Sequence, residues 1–547
     1  MPDIIDFATP DCDKGAEPIS PMSLPFGRVN GGRPIISQTL LFRLPIELVQ
    51  EVVTYLDPAD LKTLALVDRD CRQLARSRLF TRVVLDYSFE TFQLLNELSR
   101  ESLERQRCGG VCENPSIGAC IRHLTVQTDP WVLVNTYDLR GSSPRDEKVA
   151  VESYFLTYLP AIAHVLRFAL PNLDRLEWDD PVPMPPYMLP AITSVPIRHL
   201  RLHNAVLGWD CRYPDPSLER GQRWALQSLD LWPYPGADNI GQDYWPRMAR
   251  LCKNLFEKVA PTLEKLSCYG RFLPEDCVIL FPRLRALWLN ASTMTSDLAL
   301  EGFFPADTKR CALRSIAANG TFGAAGRIWK FLARRGHIPG LEVLNPTVVR
   351  FEEQYVFLSA NPQLKSLLIE SGIPEELTKR FLPFLASNLK FLTSLVITLR
   401  LDNIPSTILA EIGRILSLTS LWIAALDCGW WGKWIIDNPP SIAALSPLRN
   451  LTRLALSEGN KAIEPEVQRG KFRLAHYKQI SPESHRSWED WHNERVRKVV
   501  ESYVGEVGSL RWVYMGQLVH TVVGDEVVLM EGGMKLKFPD ETWGYSF

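Results

Sequence analysis

The sequence predicts an α/β fold, a solenoid with parallel strands on its concave face and helices on its convex face. Two observations predict it. A six-residue template (apolar–x–x–apolar–x–apolar) recurs along most of the chain, and helical patterns lie between its copies. Three short helices are predicted ahead of the first copy. The chain has 547 residues, so we expect more than one folding unit.

The template copies define a repeat. They start at Ile121, Leu173, Ile197, Leu226, Leu263, Leu284, Leu313, Leu341, Leu364, Leu392, Leu418 and Leu451, with a variant at Leu510. From Leu263 to Leu418 the steps are 21, 29, 28, 23, 28 and 26 residues. This spacing indicates a leucine-rich-repeat solenoid of the ribonuclease-inhibitor type, which we place at residues 118–480.

Helical patterns separate the templates at 151–170, 245–260, 374–389 and 406–416. Each repeat is therefore strand, loop and helix, and stacked repeats share one core. Parallel strands and helices also suit a doubly wound sheet. The recurring template and the missing phosphate-loop motif argue against that alternative.

The third, fifth and seventh template positions point away from the leucines, onto the concave face. Large aromatic side chains on a rigid surface are typical binding anchors. The candidate substrate-binding residues are Glu177, Arg201, His203, Asp230, Trp232, Tyr269, Trp288, Asn290 and Trp422. The alternative is that an insertion folds over them or that they pack on neighbours.

The N-terminal helices begin with LPIELVQEVVTYL, where Leu44, Leu48, Val52 and Leu56 recur at steps of four. Pro45 suits the first turn. In the second helix Asp57 is a good N-cap, followed by Pro58. A third helix spans 70–80, and VVLDY reads as a strand. So small a group exposes apolar surface, which often marks a partner site.

These helices resemble the F-box. The matching residues are Leu44-Pro45, Glu47-Leu48, Val52, Tyr55-Leu56, Asp60-Leu61, Leu64, Leu66-Val67, Cys71-Arg72, Leu74 and Leu79-Phe80. Many family members have a tryptophan where this chain has Leu74. With the repeats, the chain resembles the fungal-type F-box/leucine-rich-repeat proteins, which are substrate receptors of SCF cullin–RING ubiquitin ligases.

The resemblance implies docking to a Skp-type adaptor, and through it to a cullin–RING ligase that acts on an unknown protein substrate. The adaptor-binding residues it implies are Leu44, Pro45, Leu48, Val52, Leu56, Leu61, Leu64, Val67 and Leu74. We place the F-box at residues 41–85.

The chain ends fall outside these two regions. Residues 1–40 are rich in proline and glycine and predict a disordered leader. Residues 481–547 predict a helix and a hairpin turning at Gly524-Asp525, which together cap the solenoid. The cluster Trp430, Trp431 and Trp434 predicts either a hydrophobic plug or a second anchor patch.

Composition excludes several classes of function. The net charge of −2 leaves no field of one sign to hold nucleic acid. No apolar run is long enough for a membrane helix, and the acidic start is not a secretory signal. The 11 cysteines are scattered, which predicts reduced thiols in a cytoplasmic or nuclear protein.

The sequence contains no recognised catalytic motif, and we expect neither a cofactor nor a metal. Cys108, Cys112, Cys120 and His123 have a spacing that could bind zinc, but scattered thiols are the favoured interpretation. Glycines 320, 323 and 326 precede a basic helix; a loop within a repeat is favoured over a phosphate site.

These observations leave three hypotheses, ranked in this order. The first is a ligase substrate receptor without covalent chemistry of its own. The second is a leucine-rich-repeat scaffold that works without a ligase, with the F-box-like helices as its N-terminal cap. The third is an enzyme with an unrecognised site in the insertions.

Overall fold

The computed structural model describes the backbone over most of the chain. The described residues are 24–86, 88–107, 116–127, 158–179, 183–185, 187–203, 206–207, 224–232, 244–274, 276–290, 297–305, 311–319, 322–346, 352–400, 404–426, 439–457, 482–515, 518–524 and 526–529. They fall into two compact units. The N-terminal unit comprises Glu17–Leu284 and Leu298–Phe303, and the C-terminal unit comprises Arg285–Asp297 and Phe304–Phe547.

The N-terminal unit opens with the predicted helices. Its first elements are α1 (Phe26–Val29), a 3-10 turn (Leu40–Arg43), α2 (Ile46–Thr54), α3 (Pro58–Leu64), α4 (Arg69–Leu79), β1 (Arg82–Leu85) and α5 (Phe89–Arg107). Asp57 caps α3 by accepting hydrogen bonds of 2.8 Å from the amides of Ala59 and Asp60. Asp68 caps α4 in the same way, through the amide of Cys71 at 2.7 Å.

The prediction of a disordered leader over residues 1–40 is wrong for residues 24–40. Phe26 in α1 is buried in one cluster with Val49, Val53 and Leu74, and its ring lies 5.9 Å from that of Phe42. The composition hid this because isolated apolar residues among prolines and glycines show no helical period.

The repeats of the N-terminal unit follow. They contain β2 (His123–Gln127), α6 (158–168), β3 (Arg175–Asp179), β4 (Pro183–Met184), α7 (Met188–Thr193), β5 (His199–His203), β6 (Val206–Leu207), β7 (Ser228–Trp232), α8 (Tyr244–Val259), β8 (Lys265–Tyr269) and α9 (Leu298–Glu301). Strands β1, β2, β3, β5, β7 and β8 pair in parallel in that order. β4 and β6 form a separate parallel pair.

The C-terminal unit continues the same pattern. It contains β9 (Ala286–Asn290), β10 (Ser315–Asn319), α10 (Phe322–Arg335), β11 (Val343–Asn345), α11 (Glu352–Ala360), β12 (Ser366–Ile373), α12 (Glu375–Asn388), β13 (Ser394–Arg400), α13 (Ser406–Gly413), β14 (Ser420–Leu426), α14 (Pro439–Leu445), β15 (Arg453–Ser457), α15 (Pro482–Glu506), β16 (Trp512–Met515), β17 (Leu518–Val523) and β18 (Glu526–Leu529). Strands β9 to β16 pair in parallel in chain order.

Two details bear on the predicted boundaries. β1 pairs with β2, so the parallel strands begin before residue 118. β16 pairs in parallel with β15, so a repeat strand lies within residues 481–547, and the antiparallel hairpin of β17 and β18 follows it. Gly524 stands in the hairpin turn with φ 63°, a left-handed conformation that glycine adopts without strain.

The strand register matches the template position by position. Leu176 pairs with Leu124 on one side and with Leu200 on the other. Along β3, β5, β7 and β8 burial alternates, with the even template positions buried. The core therefore lies on the leucine side of the strands, and the third, fifth and seventh positions form the opposite face, which we call the outer sheet face.

Candidate functional site

The helical module has an inward and an outward apolar side. Its core is formed by Phe26, Val49, Val53, Leu61, Leu74 and Ala75. Neighbouring residues of α2 separate the two sides, since Val49 is fully buried while Leu48 keeps 48% of its surface exposed. An α-helix turns by about 100° per residue, so adjacent apolar residues cannot all enter one core.

The outward side is a set of exposed apolar side chains. Leu44, Leu48 and Val52 follow one another at steps of four, and Tyr55 continues the same face of α2. Tyr55 is 82% exposed and Leu66, just after α3, is 80% exposed. We call Leu44, Leu48, Val52, Tyr55, Leu66 and Val67 the helical patch.

The structure separates the predicted adaptor-binding residues into two groups. The exposed ones are Leu44, Pro45, Leu48, Val52 and Val67. Leu56 and Leu64 are partly buried against the core cluster, and Leu61 and Leu74 lie inside it. Leu61 and Leu74 are therefore corrected from surface contacts to core residues, because helices this short have few other side chains to close a core.

Tyr55 and Leu66 were absent from the predicted set of adaptor contacts. A signal existed for Tyr55, which lies three residues after Val52 and so falls on the same helix face. Leu66 stands beside Val67 in the F-box match, but its exposure depends on where the chain turns after α3.

The outer sheet face of the N-terminal unit carries the fifth-position row. Across adjacent strands this row runs through Thr125, Glu177, Arg201, Asp230 and Ser267. All of them are partly exposed. The prediction that these side chains leave the leucine core is confirmed by the alternation of burial.

Glu177 is the acceptor at the centre of one polar group. Its carboxylate lies 2.5 Å from the guanidinium of Arg175 and 3.4 Å from Nε2 of His123. Burial alone would raise the pKa of Glu177. The hydrogen bond from His123 and the positive charges of Arg175 and Arg201 outweigh burial and lower this pKa to about 2.

A second polar group joins Arg201, His203 and Asp230. Arg201 Nη2 lies 3.1 Å from His203 Nδ1, and His203 Nε2 lies 3.0 Å from Asp230 Oδ2. A guanidinium only donates, so Nδ1 accepts and Nε2 carries the proton that it donates to Asp230. These two contacts hold the His203 ring in place.

An aromatic row borders this group. The ring centroids of His203 and Trp232 are 6.4 Å apart, those of Trp232 and Tyr269 are 5.0 Å apart, and those of Tyr269 and Phe272 are 5.9 Å apart. Trp232 also donates from Nε1 to the Ser267 hydroxyl at 2.8 Å. Trp232 and Tyr269 are partly exposed and edge-to-face, which fixes their orientation on the surface.

The candidates of the C-terminal unit are less accessible. Trp288 is partly exposed, whereas Asn290 is buried. Trp422 is 3% exposed and belongs to an apolar cluster with Leu368, Val396, Trp512 and Tyr514. The prediction that Trp422 and Asn290 are exposed binding residues is therefore wrong, since both are buried. Trp422 packs against apolar side chains of the neighbouring strands.

Within the described residues, no group of three or more His, Cys, Asp or Glu side chains could hold a metal ion. Of the predicted zinc spacing, Cys108 and Cys112 lie outside the described residues. The Cys120 thiol is buried, which raises its pKa, and it donates to the Ser116 carbonyl at 3.2 Å. Glycines 323 and 326 lie inside α10 rather than in a loop.

Trp430, Trp431 and Trp434 also lie outside the described residues. Among the helices that are described, none has both the length and the apolar character to cross a membrane.

Comparison with known proteins identifies the helical module. A family model described as the F-box domain matches residues 41–82. No curated protein sequence matches the chain. One similar solved structure is an internalin from Listeria monocytogenes, at 12% identity and a TM-score of 0.27, covering 80% of this chain and 93% of that one.

The helical module directly precedes the repeats in the chain. The matched residues hold α2, α3 and α4; the parallel strands begin at β1, and the leucine template begins with β2. The chain therefore combines an N-terminal F-box domain with an α/β fold of leucine-rich repeats.

Proposed function

We propose that the chain is the substrate-recognition subunit of an SCF-type E3 ubiquitin ligase, acting in the cytoplasm or nucleus. The F-box domain binds a Skp-type adaptor, which links it to a cullin–RING ligase. The repeats bind a protein substrate. The fungal-type assignment is part of this proposal and is supported by the sequence resemblance alone.

The observation that carries the proposal is the helical patch. Its apolar side chains are exposed although the core beneath them is already closed by Phe26, Val49 and Leu74. Burying one such side chain contributes about 1.5–3 kcal/mol, so a set of them gives a partner enough binding energy. An exposed apolar patch of this kind marks a protein interaction site.

We place substrate binding on the outer sheet face of the N-terminal unit. Arg201, His203 and Asp230 hold one another in place, so little side-chain freedom is lost when a partner binds. Trp232 and Tyr269 supply aromatic area beside them. Aromatic anchors within a polar surround are typical of protein-binding hot spots.

The proposed mechanism requires no chemistry from this chain. The adaptor and the substrate bind to different elements, and the ligase brings a ubiquitin-conjugating enzyme to the bound substrate. The gain in transfer rate comes from proximity and orientation.

Purified full-length chain and purified Skp-type adaptor test the proposal. The Leu48→Glu variant places a charge in the helical patch, and we expect it to abolish the complex in isothermal titration calorimetry. The matched control is Leu280→Glu, because Leu280 is also an exposed leucine of the same unit. Equal affinity of Leu48→Glu and wild type would count against the proposal.

A ligase-independent scaffold is the second candidate. One observation favours it: the F-box helices contact the first repeat directly. Gln73 in α4 donates to the Ser116 carbonyl at 2.9 Å, as expected of a cap that shields the end of a repeat stack. Full cellular function of Leu48→Glu, with adaptor binding lost, would favour the scaffold.

A further inference from the structure

We infer that the adaptor-binding surface extends beyond the F-box domain onto residues 35–40. The matched domain starts at residue 41, yet Ile35, Ile36 and Leu40 all present exposed apolar side chains just before it. Ile36 is 63% and Leu40 is 73% exposed. This inference rests on the proposed function and names a further part of its adaptor surface.

Two carboxylates hold this segment in place, one through backbone amides and the other through a side chain. Asp70, at the start of α4, accepts hydrogen bonds of 2.7 Å from the amides of Ile36 and Ser37 through one oxygen. Asp68 accepts a hydrogen bond from the Ser37 hydroxyl. Both bonds to Asp70 use backbone amides, so they position the segment whatever side chain residue 36 carries.

The segment is anchored at both ends as well. Upstream, Gln50 donates to the Leu24 carbonyl at 2.6 Å, and Phe26 is buried in the core. Downstream, Leu41 and Phe42 pack against that core. Between these anchors, Ile35, Ile36 and Leu40 are held in place but are not buried in the core.

The position of these residues indicates which partner covers them. Leu40 lies four residues before Leu44 of the helical patch. At the other end, Ser37 bonds to Asp68, the direct neighbour of Val67 in the same patch. Leu40 and Ser37 therefore both lie close to residues of the helical patch, one through the chain and the other through the bond to Asp68. A partner seated on the patch covers the segment too, so its occupant is the same Skp-type adaptor.

The test measures adaptor affinity for the full chain carrying Ile36→Glu, Leu40→Glu or both. We expect each single variant to weaken binding about tenfold or more, since each places a charge in a buried apolar contact. Leu280→Glu is the control and should bind like wild type. Leu280 lies in the chain after β8, and β8 is five strand spacings, or about 24 Å, from β1. β1 directly follows the F-box helices, so Leu280 is far from the adaptor surface.

A milder variant guards against misfolding. Ile36→Ala retains both backbone bonds to Asp70 and should weaken binding severalfold with an unchanged melting temperature. Hydrogen exchange gives an independent readout: adaptor binding should slow exchange at Leu40 and neighbouring amides of residues 35–40.

The outcomes separate this inference from the function on which it rests. If Leu48→Glu abolishes binding while Ile36→Glu and Leu40→Glu bind like wild type, the extension is wrong and the receptor proposal stands. If Leu48→Glu also binds normally, the receptor proposal itself fails. A change in self-association without a change in adaptor affinity would assign the segment to a second copy and overturn the inference.

Discussion

Gln73, in the third helix of the F-box domain, donates a hydrogen bond of 2.9 Å to the backbone carbonyl of Ser116, which lies shortly before β2. The same amide nitrogen also donates to the Val29 carbonyl at 2.9 Å. One fully buried side chain therefore ties α1, α4 and the first repeat together.

Replacing Gln73 by Leu should lower the free energy of unfolding by about 2 kcal/mol, because the buried Val29 carbonyl loses the Gln73 donor and the Ser116 carbonyl keeps only the weak thiol donor of Cys120. Urea unfolding followed by tryptophan fluorescence measures it. The control is Gln93→Leu on the exposed side of α5, which should stay within about 0.5 kcal/mol of wild type. An equally small effect at Gln73 would show that water replaces the lost donor.

Gly118 should not tolerate alanine. A Cβ at this position would lie 2.2 Å from the Ala169 carbonyl oxygen, a backbone atom that cannot swing aside. We expect Gly118→Ala to cost about 3 kcal/mol or more. Gly505→Ala, in a helix with open space around it, should be neutral or stabilise by up to about 1 kcal/mol. Thermal unfolding of both variants compares them.

Leu48 and Val49 should respond oppositely to substitution although they are neighbours. Val49→Ala removes buried methyl groups from the core and should cost about 1–3 kcal/mol in unfolding free energy while sparing adaptor affinity. Leu48→Ala should leave unfolding nearly unchanged and weaken adaptor binding. The prediction is wrong if both variants lose stability equally, since Leu48 would then belong to the core.

Glu177 should make stability depend on pH in the acidic range. Its pKa is about 2 in the folded chain, against an ordinary glutamate value of 4.5, so its stabilising effect is complete above about pH 4.5 and disappears as pH falls towards 2. At pH 7 Glu177→Gln should be less stable by on the order of 3 kcal/mol.

The measurement for Glu177 is the difference in unfolding free energy between wild type and Glu177→Gln at several pH values. This difference should shrink between pH 4.5 and pH 2. Glu257→Gln, at an exposed position of α8, serves as the control and should show a small difference throughout. A constant difference for Glu177→Gln would mean that lost packing, rather than lost charge, causes the effect.

The two tryptophans Trp232 and Trp422 should separate binding from stability. Trp232→Ala removes a partly exposed anchor and should reduce recovery of the substrate, identified by affinity purification with the proteasome inhibited. Trp422→Ala opens a cavity among Leu368, Val396 and Tyr514 and should cost about 3–5 kcal/mol of stability. A Trp232 variant that recovers substrate like wild type would exclude this residue as an anchor.

The sequence predicted the repeats well because their signal is local. The spacing of Leu173, Leu176 and Trp178 alone determines which side chains face the core, and the strand register agrees with it. Capping by Asp57 is local too.

The misassigned residues depend on tertiary contacts. Leu61 and Leu48 both read as apolar positions of amphipathic helices, and only packing of the helices against one another places one inside and the other outside. Trp422 occupies the predicted outer position of its strand, but it is buried in an apolar cluster with residues of several strands. The sequence of a single repeat therefore cannot predict this burial.

The burial of Phe26 has a practical consequence for any fragment of this protein. A fragment cut at residue 41, where the family match begins, would lack an aromatic ring from the centre of its core and the donors that satisfy Asp70. We expect such a fragment to be less stable, for reasons unrelated to adaptor recognition. Fragments for interaction work should start no later than residue 24.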